Sequence, residues 1–268
     1  MKQSKTMTGV ITLTTDFGLR DPYAGIMKGV ISRFAPKAVV IDLCHYVPSY
    51  RPAIGGLWVG LSYRWFPIGS VHVAVVDPGV GTDRDIVCIE SDVHQFIVPD
   101  NGMAAEIARH LDHRSACRLE IQNLDLNINS PTFHGRDVFA PVAARLWSGE
   151  LKPNEIGPPV RRLEPSSLPQ AEVRDDAVIG EVVFADHFGN LVSNIENPGL
   201  AGWHDLSASI AGESVKIVGT YGEAKADETI ALFNSFGLLE IARPGGSALS
   251  QEGWQPGARV TLLRQSSS

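Results

Sequence analysis

The sequence has few cysteines and no long apolar run, and each absence excludes a class of protein. Its three cysteines, Cys44, Cys88 and Cys117, form an odd number at spacings that fit neither a disulfide framework nor a zinc ribbon. We therefore expect inert core thiols in a reducing compartment. No stretch approaches the roughly 20 apolar residues that span a bilayer, and the short apolar run near the N-terminus is broken by threonines. The sequence predicts a soluble, uncleaved, cytoplasmic protein.

Positive charge is scarce as well. The 23 Lys and Arg residues stand against 30 Asp and Glu, which gives a net charge of −7. A nucleic-acid-binding protein usually carries the opposite balance. With 44% hydrophobic and 20% charged residues, the 268-residue chain is not mainly disordered or fibrous, and it is long enough for one large domain or two modest ones. Neither nucleic acid nor a membrane is an expected partner.

The first 150 residues alternate between strand-like and helix-like periods. The strand-like runs cover residues 10–14, 38–43, 71–76, 86–89 and 95–98. A helix should begin at Asp21-Pro22, and Asn101 should cap another. The run 38–43 is continuously apolar at its start, which is typical of a strand buried on both faces. The alternation predicts an α/β domain with a mainly parallel sheet over residues 1–160.

The composition changes after Trp147. Five prolines lie between residues 151 and 176 without a helical or strand period, and we interpret residues 161–176 as a linker. From there to the C-terminus, short alternating runs are separated by glycine or asparagine. This pattern predicts a smaller, antiparallel β-barrel-like domain over residues 177–268.

Three of the apolar runs end in an acidic residue, namely Asp16, Asp77 and Asp100. Because the strands of a parallel sheet point the same way, these carboxylates should gather at one edge, where open α/β folds bind ligands. Each acid alone is equally typical of a turn or a helix cap. The three together favour a polar pocket.

Two further segments carry candidate functional side chains. The loop from Asp77 to Arg84 contains two glycines but neither a dinucleotide-binding nor a P-loop spacing. Arg84 is close enough in sequence to fold back and pair with Asp77, although an arginine at this position, taken alone, would by default be solvated. His134 precedes an apolar helix that Thr132 or Asp137 could cap, and a helix N-terminus lowers the pKa of an imidazole.

A metal site is an alternative for the same residues. Asp16, Asp77, His134 and Asp137 resemble a scattered hydrolase metal set. The sequence has no H-x-H, H-E-x-x-H or D-x-D-x-D spacing. A metal-free site is therefore the favoured interpretation.

The C-terminal half has two segments with a double interpretation. Asp186, Phe188 and Asn190 alternate and could project to one side, or they could form a long hairpin turn. Residues 234–238 could be a turn that enters a strand or a backbone cradle for a small anion. The residues alone leave both questions open.

Six motifs, taken together, carry a family resemblance. They are TTDFG-x-x-D at residues 14–21, VVDPGVG-x-x-R at 75–84, PDNG at 99–102, TFHGRD at 132–137, DHFGN at 186–190 and NSFG-x-LEIA at 234–242. They resemble the S-adenosyl-L-methionine (SAM) hydroxide adenosyltransferases, which are adenosine-forming hydrolases related to the fluorinases and chlorinases. The resemblance implies an α/β N-terminal domain, a β-barrel-like C-terminal domain and a homotrimer. It also implies that SAM binds where the N-terminal domain of one subunit meets the C-terminal domain of its neighbour.

The resemblance also implies roles for individual residues. Asp77, Arg84 and His134 match the catalytic set, Asp16 matches the acid that holds the ribose hydroxyls, and Asp21 lies in the same loop. The other implied substrate-binding residues are Tyr50 (or Trp58 in its place), Phe133, Asp186 at the methionine ammonium, Phe188 and Asn190 at the adenine, Ser235 at the methionine carboxylate, Phe236, Glu240 and Ala242. No metal and no cofactor are implied.

The chain departs from the halogenase pattern at three positions. Gly135 replaces the serine that binds halide, His134 replaces an aromatic hydroxyl, and Asp77 replaces a tyrosine. A loop that the halogenases insert before the PDNG-like segment is absent. A sulfonium is already a good leaving group, so displacement at the ribose C5′ chiefly needs a positioned nucleophile. We expect hydrolysis of SAM to adenosine and L-methionine. The alternatives are a SAM-dependent halogenase, a non-catalytic adenosyl-ligand binding protein and a metal-dependent phosphoesterase.

Overall fold

Residues 9–112, 114–197 and 206–264 are described by the computed structural model of this chain. The chain divides into two units, Met1–Ser167 and Leu168–Ser268. The division falls inside the segment 161–176 that the sequence predicts as a linker. Within the described ranges, no helix has the length and apolar character needed to cross a membrane.

The first unit is built on a six-stranded sheet. Its strands are β1 (Ile11–Thr15), β2 (Val40–Cys44), β3 (Val71–Val75), β4 (Ile86–Ser91), β5 (Gln95–Pro99) and β6 (Arg114–Arg118). Their order is β2-β1-β3-β5-β4-β6. The neighbours β2, β1, β3 and β5 are parallel, and β4 runs antiparallel to β5 and to β6. The predicted α/β domain with a mainly parallel sheet is confirmed.

Four α-helices pack with this sheet. They are α1 (Tyr23–Phe34), α2 (Pro52–Ser62), α3 (Met103–Arg109) and α4 (Ala140–Ser148). Helix α1 packs against α4, α2 packs against α3, and both α2 and α4 contact β3. Met27 and Ile31 of α1 and Phe139 before α4 are fully buried against Ile11 and Leu13 of β1. Burial of these apolar side chains holds β1 and β3 in the middle of the sheet.

The predicted helix is present within one residue of its expected start, but the predicted cap is wrong. The helix begins at Tyr23, and Pro22 occupies the N-cap position without a side-chain hydrogen bond. Asp21 is exposed and does not cap the helix. At the start of α3, Gly102, at a φ of 94°, takes the N-cap position expected for Asn101, while the side-chain oxygen of Asn101 accepts the backbone N–H of Met103 at 3.4 Å.

The segment before α4 also differs from the prediction. A π-helical turn, Gly135–Phe139, precedes the α-helix, and neither Thr132 nor Asp137 caps it. The Asp137 carboxylate instead accepts the backbone N–H groups of Asn129 and Ser130, at 2.8 and 2.9 Å. These bonds fix the chain that leads to His134. They exist because the loop returns to the helix start, which local sequence does not reveal.

Strand β2 is not buried on both faces, so the interpretation of residues 38–43 is wrong. It forms one edge of the sheet, and Val39 and Ile41 are 58% and 37% exposed.

Tyr23 and Phe34 of α1 are exposed as well. We call the apolar side chains Tyr23, Ile26, Phe34, Val39 and Ile41 the α1–β2 surface. An exposed apolar edge of this kind is typical of a protein–protein interface.

The second unit is a closed β-barrel with one additional strand. Its strands are β7 (Glu172–Val173), β8 (Ala177–Ala185), β9 (Leu191–Glu196), β10 (Leu206–Ile210), β11 (Glu213–Ile217), β12 (Ile230–Phe233), β13 (Leu238–Ala242) and β14 (Arg259–Arg264). The order is β14-β10-β11-β12-β13-β9-β8-β7, and pairing of β14 with β8 closes a ring of seven strands. The pair β11–β12 is parallel and the other pairs are antiparallel. The barrel-like prediction is confirmed, with mixed rather than purely antiparallel pairing.

Candidate active site

Two of the three strand-end acids line one cavity in the first unit. Asp16 follows β1 and Asp77 lies just beyond β3, and these parallel strands are neighbours. The cavity has a volume of about 100 Å³, and His134 and Tyr50 line it as well. Asp100 follows β5 at the same edge, but its carboxylate accepts the backbone N–H of Glu164 at 3.0 Å. The expected gathering therefore applies to Asp16 and Asp77.

Asp77, Arg84 and His134 form one hydrogen-bonded chain. Arg84 Nε donates to both oxygens of Asp77, at 3.0 and 2.9 Å, and Arg84 Nη2 makes a further contact with Asp77 Oδ2. The same Nη2 lies 3.0 Å from Nδ1 of His134. The side chains of Asp77 and Arg84 are only 3% and 10% exposed. The expected return of Arg84 to Asp77 is confirmed, and a two-point contact of this kind fixes the guanidinium plane.

A tight loop returns Arg84 to Asp77. The N–H of Val80 donates to the carbonyl of Asp77, and the Thr82 hydroxyl donates to the carbonyl of Gly79. Gly81 has a φ of 79°, and a Cβ at this position would lie 2.8 Å from the Pro131 carbonyl oxygen. Only glycine fits there. The close approach brings the loop against the segment that carries His134.

The pKa of His134 lies below its ordinary value. Burial is the largest cause, and the positive charge of Arg84 is the second. Both disfavour the imidazolium. The sequence attributes a lower pKa to the helix N-terminus, whereas the structure assigns it to burial and Arg84. Because Arg84 has only donors, Nδ1 of His134 accepts, and the neutral ring carries its proton on Nε2.

Asp16 is held by the segment that contains Tyr50. Burial raises the pKa of Asp16, a backbone hydrogen bond from Tyr50 opposes that rise, and the charge of Asp77 adds to it. Tyr50 has a φ of 62°, an uncommon conformation for a residue with a side chain, and it is 76% exposed. Of the two aromatic candidates, Tyr50 lines the cavity, whereas Trp58 lies within α2 and is not among the described lining residues.

Aromatic rings and a glycine complete this cavity. Phe133 lines it and packs edge-to-face on Phe17 and Tyr23, with ring centroids 6.2 and 5.3 Å apart. Gly135 also lines it, and a Cβ there would lie 3.1 Å from Met27 Sδ. Asp21, which the resemblance places in the same loop, is exposed and is not among the described lining residues.

The acids and histidine do not gather as a metal set. Within residues 9–112, 114–197 and 206–264, no group of three or more His, Cys, Asp or Glu residues is arranged to hold a metal ion. The Asp137 carboxylate is occupied by Arg136, whose Nε donates at 2.7 Å, as well as by two backbone N–H groups. These bonds lower the pKa of Asp137 to about 2, with Arg136 as the largest cause.

The second unit has its own, larger cavity, with a volume of about 830 Å³. Six of the sequence-predicted substrate residues line it, namely Asp186, Phe188, Asn190, Ser235, Phe236 and Glu240. Ala242 is 1% exposed and packs in an apolar cluster with Ile230 and Leu232. The side chain of Ala242 therefore lies beneath the cavity wall.

Asp186 organises the loop around it. One carboxylate oxygen accepts the backbone N–H groups of Phe188 and Asn190, at 2.8 and 2.9 Å, and the other accepts the Asn190 side-chain amide at 2.9 Å. This arrangement directs Phe188 outward, where it is 76% exposed. The segment is therefore a turn, which was one interpretation of the sequence. Asp186, Phe188 and Asn190 also line one cavity, as the alternative interpretation predicted.

Among the lining residues to which the sequence assigned no role are Tyr221, Asn234 and Arg243. Asn234 stands in a recognised motif and Arg243 directly follows one, so both had a signal. Tyr221 lies in a short turn between strands and had none. Its hydroxyl donates to Glu240 at 2.6 Å, and the Asn234 amide donates to the same carboxylate at 3.1 Å. Burial is the largest cause of the raised pKa of Glu240 and of the raised pKa of Tyr221.

Comparison with known proteins finds one family along nearly the whole chain. The model of the SAM hydroxide adenosyltransferase N-terminal domain matches residues 11–157, and that of the C-terminal domain matches residues 180–261. An (R)-S-adenosyl-L-methionine hydrolase of Thermus thermophilus is 38% identical over 259 residues, which cover 93% of this chain and 97% of the relative. A fluorinase of Nocardia brasiliensis is 22% identical, over 89% of this chain and 91% of its own. The crystal structure of an uncharacterised conserved protein from Thermotoga maritima superposes with a TM-score of 0.84 at 30% identity, over 94% of this chain and 100% of that one.

Proposed function

Because the chain belongs to the SAM hydroxide adenosyltransferase family, we propose that it is an enzyme that hydrolyses SAM to adenosine and L-methionine. The relative at 38% identity is a SAM hydrolase, and the fluorinase is more distant. The observation that carries the proposal is the hydrogen-bonded chain of Asp77, Arg84 and His134 beside a cavity that Asp16 also lines. Asp77 and His134 line this cavity, and Arg84 is hydrogen-bonded to both of them.

The reaction needs a positioned water more than it needs an acid. The water oxygen forms a bond to the ribose C5′, the C5′–S bond breaks, and its electron pair returns to the sulfur. One proton of the water is released to the solvent, which balances the positive charge lost by the sulfonium. Sulfur leaves as a neutral thioether, so a donor at the leaving group adds little. Orientation of the nucleophile and electrostatic stabilisation are therefore the terms that the protein supplies.

We assign Arg84 and His134 to the water and Asp77 to Arg84. Asp77 holds the guanidinium at two points, so that Arg84 keeps one orientation. His134 accepts from Arg84 at Nδ1, so Nε2 carries the proton and can donate to the water oxygen. Two donors on this oxygen favour its hydroxide-like form. They leave a lone pair for attack on C5′.

Turnover should fall as the pH is lowered below the ordinary histidine value. The pKa of His134 is lowered, so the ring is neutral at pH 7, and protonation at lower pH removes the acceptor that Arg84 uses. We expect kcat/KM to be constant from pH 7 to 8 and to decline on the acid side of about pH 6.5. His134→Asn, which cannot protonate, should lower kcat/KM about a hundredfold and lose this acid limb. An identical acid limb in wild type and variant would contradict the assignment.

The binding roles are proposed by the same family correspondence. Asp16 binds the ribose hydroxyls, Phe188 and Asn190 bind the adenine, and Asp186 and Ser235 bind the methionine ammonium and carboxylate. Asp16 belongs to the first unit and the other four to the second. One substrate molecule thus requires residues from both units. No metal and no cofactor take part in the proposal, and the three free cysteines support a cytoplasmic location.

One assay separates the candidate activities. Purified protein is incubated with SAM in buffer alone, with chloride or with fluoride, and adenosine is resolved from 5′-halo-adenosines. We expect adenosine and methionine in equal amounts under all three conditions and after treatment with a chelator. Halogenated product would identify a halogenase, loss of activity with the chelator a metal-dependent enzyme, and binding without turnover an adenosyl-ligand binding protein.

The halogenase alternative has a steric disadvantage here. The position of its halide-binding serine is Gly135, where a Cβ would lie 3.1 Å from both Met27 Sδ and Phe133 Cε2. This spacing is tighter than ordinary van der Waals contact. A serine side chain would therefore need its neighbours to move.

We further propose a homotrimer whose sites lie at subunit interfaces. The α1–β2 surface supports this assembly, because covering exposed apolar side chains of an edge strand and its neighbouring helix with a partner lowers the free energy. Multi-angle light scattering should give three times the 28.9 kDa of the single chain. Ile41→Asp, which adds a charge to the exposed edge, should lower that mass. A monomeric mass for the wild type would contradict the assembly.

A further inference from the structure

Glu240 is a buried carboxylate on the floor of the second unit's cavity. It lies on β13, is 3% exposed, and its register partners are the apolar Val192 and Leu232. Its oxygens accept hydrogen bonds from two uncharged donors, Tyr221 Oη and Asn234 Nδ2. A carboxylate in such surroundings costs free energy, which hydrogen bonds offset only in part. Its presence therefore needs an explanation beyond the stability of the barrel.

The two donors belong to different walls of the cavity. Tyr221, which is 45% exposed, lies in the short helical turn Tyr221–Glu223 and lines one wall. Asn234 begins the turn that carries Ser235 on another wall. Its side-chain oxygen accepts the backbone N–H groups of Phe236 and Leu238, at 3.0 and 3.2 Å. One carboxylate thus connects an aromatic wall to the turn that holds Ser235.

We propose that Glu240 is a positioning residue that sets the spacing of these two walls for the substrate. The proposal rests on SAM hydrolysis as the proposed function. The family resemblance implies that Glu240 is a substrate-binding residue. In the structure each of its oxygens accepts one hydrogen bond from the protein, and these two bonds connect it to Tyr221 and Asn234 of the cavity lining. Fixing both walls before binding reduces the entropy that binding must overcome.

Glu240→Gln separates positioning from simple packing. Glutamine has nearly the same shape, but its amide has a single acceptor oxygen, so one of the two donors loses its partner. One wall is then released while the barrel keeps its volume. We expect the KM for SAM to rise about tenfold, since the binding walls are no longer preorganised. We expect kcat to stay within about threefold, because the residues assigned to the water lie in the first unit.

Tyr221→Phe provides a second, milder variant. It keeps the ring and removes only the hydroxyl that Glu240 accepts. We expect the KM to rise about threefold, and the double variant to resemble Glu240→Gln alone, because both changes break the same link. Glu106→Gln is the matched control: Glu106 is also a buried carboxylate, 2% exposed, but on α3 of the first unit. Its KM should equal that of the wild type.

Several outcomes would overturn the proposal. A KM for Glu240→Gln within twofold of the wild type would do so. So would a double variant whose increase in KM equals the product of the increases in the two single variants. If Glu240→Gln does not fold, Tyr221→Phe decides alone, and an unchanged KM counts against the role. Calorimetric binding of S-adenosylhomocysteine, which keeps the amino-acid carboxylate assigned to Ser235 but has no sulfonium, should weaken about tenfold in Glu240→Gln and separates the two claims. Wild type that binds S-adenosylhomocysteine without hydrolysing SAM contradicts the proposed function only. Full turnover with unaffected variants contradicts the positioning role only.

Discussion

Replacing Asp77 by alanine should reduce kcat about a thousandfold, which corresponds to about 4 kcal/mol in the activation free energy. The carboxylate accepts from Arg84 at two points, and both side chains are almost fully buried. Without the carboxylate, the guanidinium of Arg84 loses its orientation. The water then loses one of its two proposed donors. Substrate affinity should stay within about tenfold, since Asp77 is not assigned to binding. Single-turnover kinetics and calorimetric SAM binding measure the two quantities separately.

Two further variants test whether charge or shape matters at this position. Asp77→Asn keeps the volume and one acceptor oxygen, so Arg84 is held at one point without an ionic partner. We expect its kcat to lie between those of the wild type and Asp77→Ala. Asp85→Ala, eight residues further on, removes a half-exposed acid whose nearest ionic partner is Arg118 at 3.8 Å. It should leave kcat unchanged. Equal loss of binding and turnover in Asp77→Ala would contradict the catalytic role.

Acid should destabilise the first unit through a buried histidine. His72 is 1% exposed, its Nδ1 lies 2.8 Å from the Thr12 hydroxyl, and its Nε2 lies 3.3 Å from Nδ1 of His94. The ring also stacks on Phe96. Burial, followed by the charge of His94, lowers the pKa of His72 to about 3. The folded protein therefore keeps this ring neutral at a pH where the unfolded chain protonates it.

The direction of the effect follows from proton binding. Below about pH 6.5 His72 is protonated in the unfolded chain, whereas in the folded protein it stays neutral down to about pH 3. Because the unfolded state binds more protons, the free energy of unfolding decreases as the pH falls. The loss is about 1.4 kcal/mol per pH unit, or about 3 kcal/mol at pH 4.5 relative to pH 7.5. His72→Gln cannot protonate, so its unfolding free energy should fall by about 3 kcal/mol less than that of the wild type.

Urea unfolding at the two pH values, followed by tryptophan fluorescence, measures this difference. The control is His187→Gln, because His187 is exposed and its replacement should leave the pH dependence unchanged. Wild type and His72→Gln with the same loss between pH 7.5 and 4.5 would show that the buried ring does not titrate as described.

The parts of the fold that follow from local pattern were predictable from the sequence. Apolar runs of strand length, separated by a helical period, specify a parallel sheet because a strand covered on both faces needs apolar residues at every position. The edge position of β2 was not predictable, since the apolar composition of residues 38–43 is the same whether a strand or solvent lies beside it. The start of α4 at Ala140 differs because the Asp137 carboxylate accepts the backbone N–H groups of Asn129 and Ser130 and does not cap the helix.

The residues of the two cavities also divide into contacts that local sequence predicts and contacts that it does not. The pairing of Arg84 with Asp77 follows from a seven-residue loop with glycines, whereas the contact of Arg84 with His134 joins residues 50 positions apart. Tyr221 and Glu240, 19 positions apart, meet through the arrangement of the barrel and the turn between its strands. Sequence distance decides which of these contacts a local rule can reveal.

The amino-acid sequence by itself determined the family, the two architectures and the residue types of both cavities, because each depends on short motifs and on the periodicity of apolar side chains. The tertiary structure alone decided which acids share a cavity, which ring nitrogen of His134 faces Arg84, and that Glu240 links two walls. These features depend on strand register and on loop returns. The free energy that sets them is the sum over many distant contacts, and no short segment of the chain contains it.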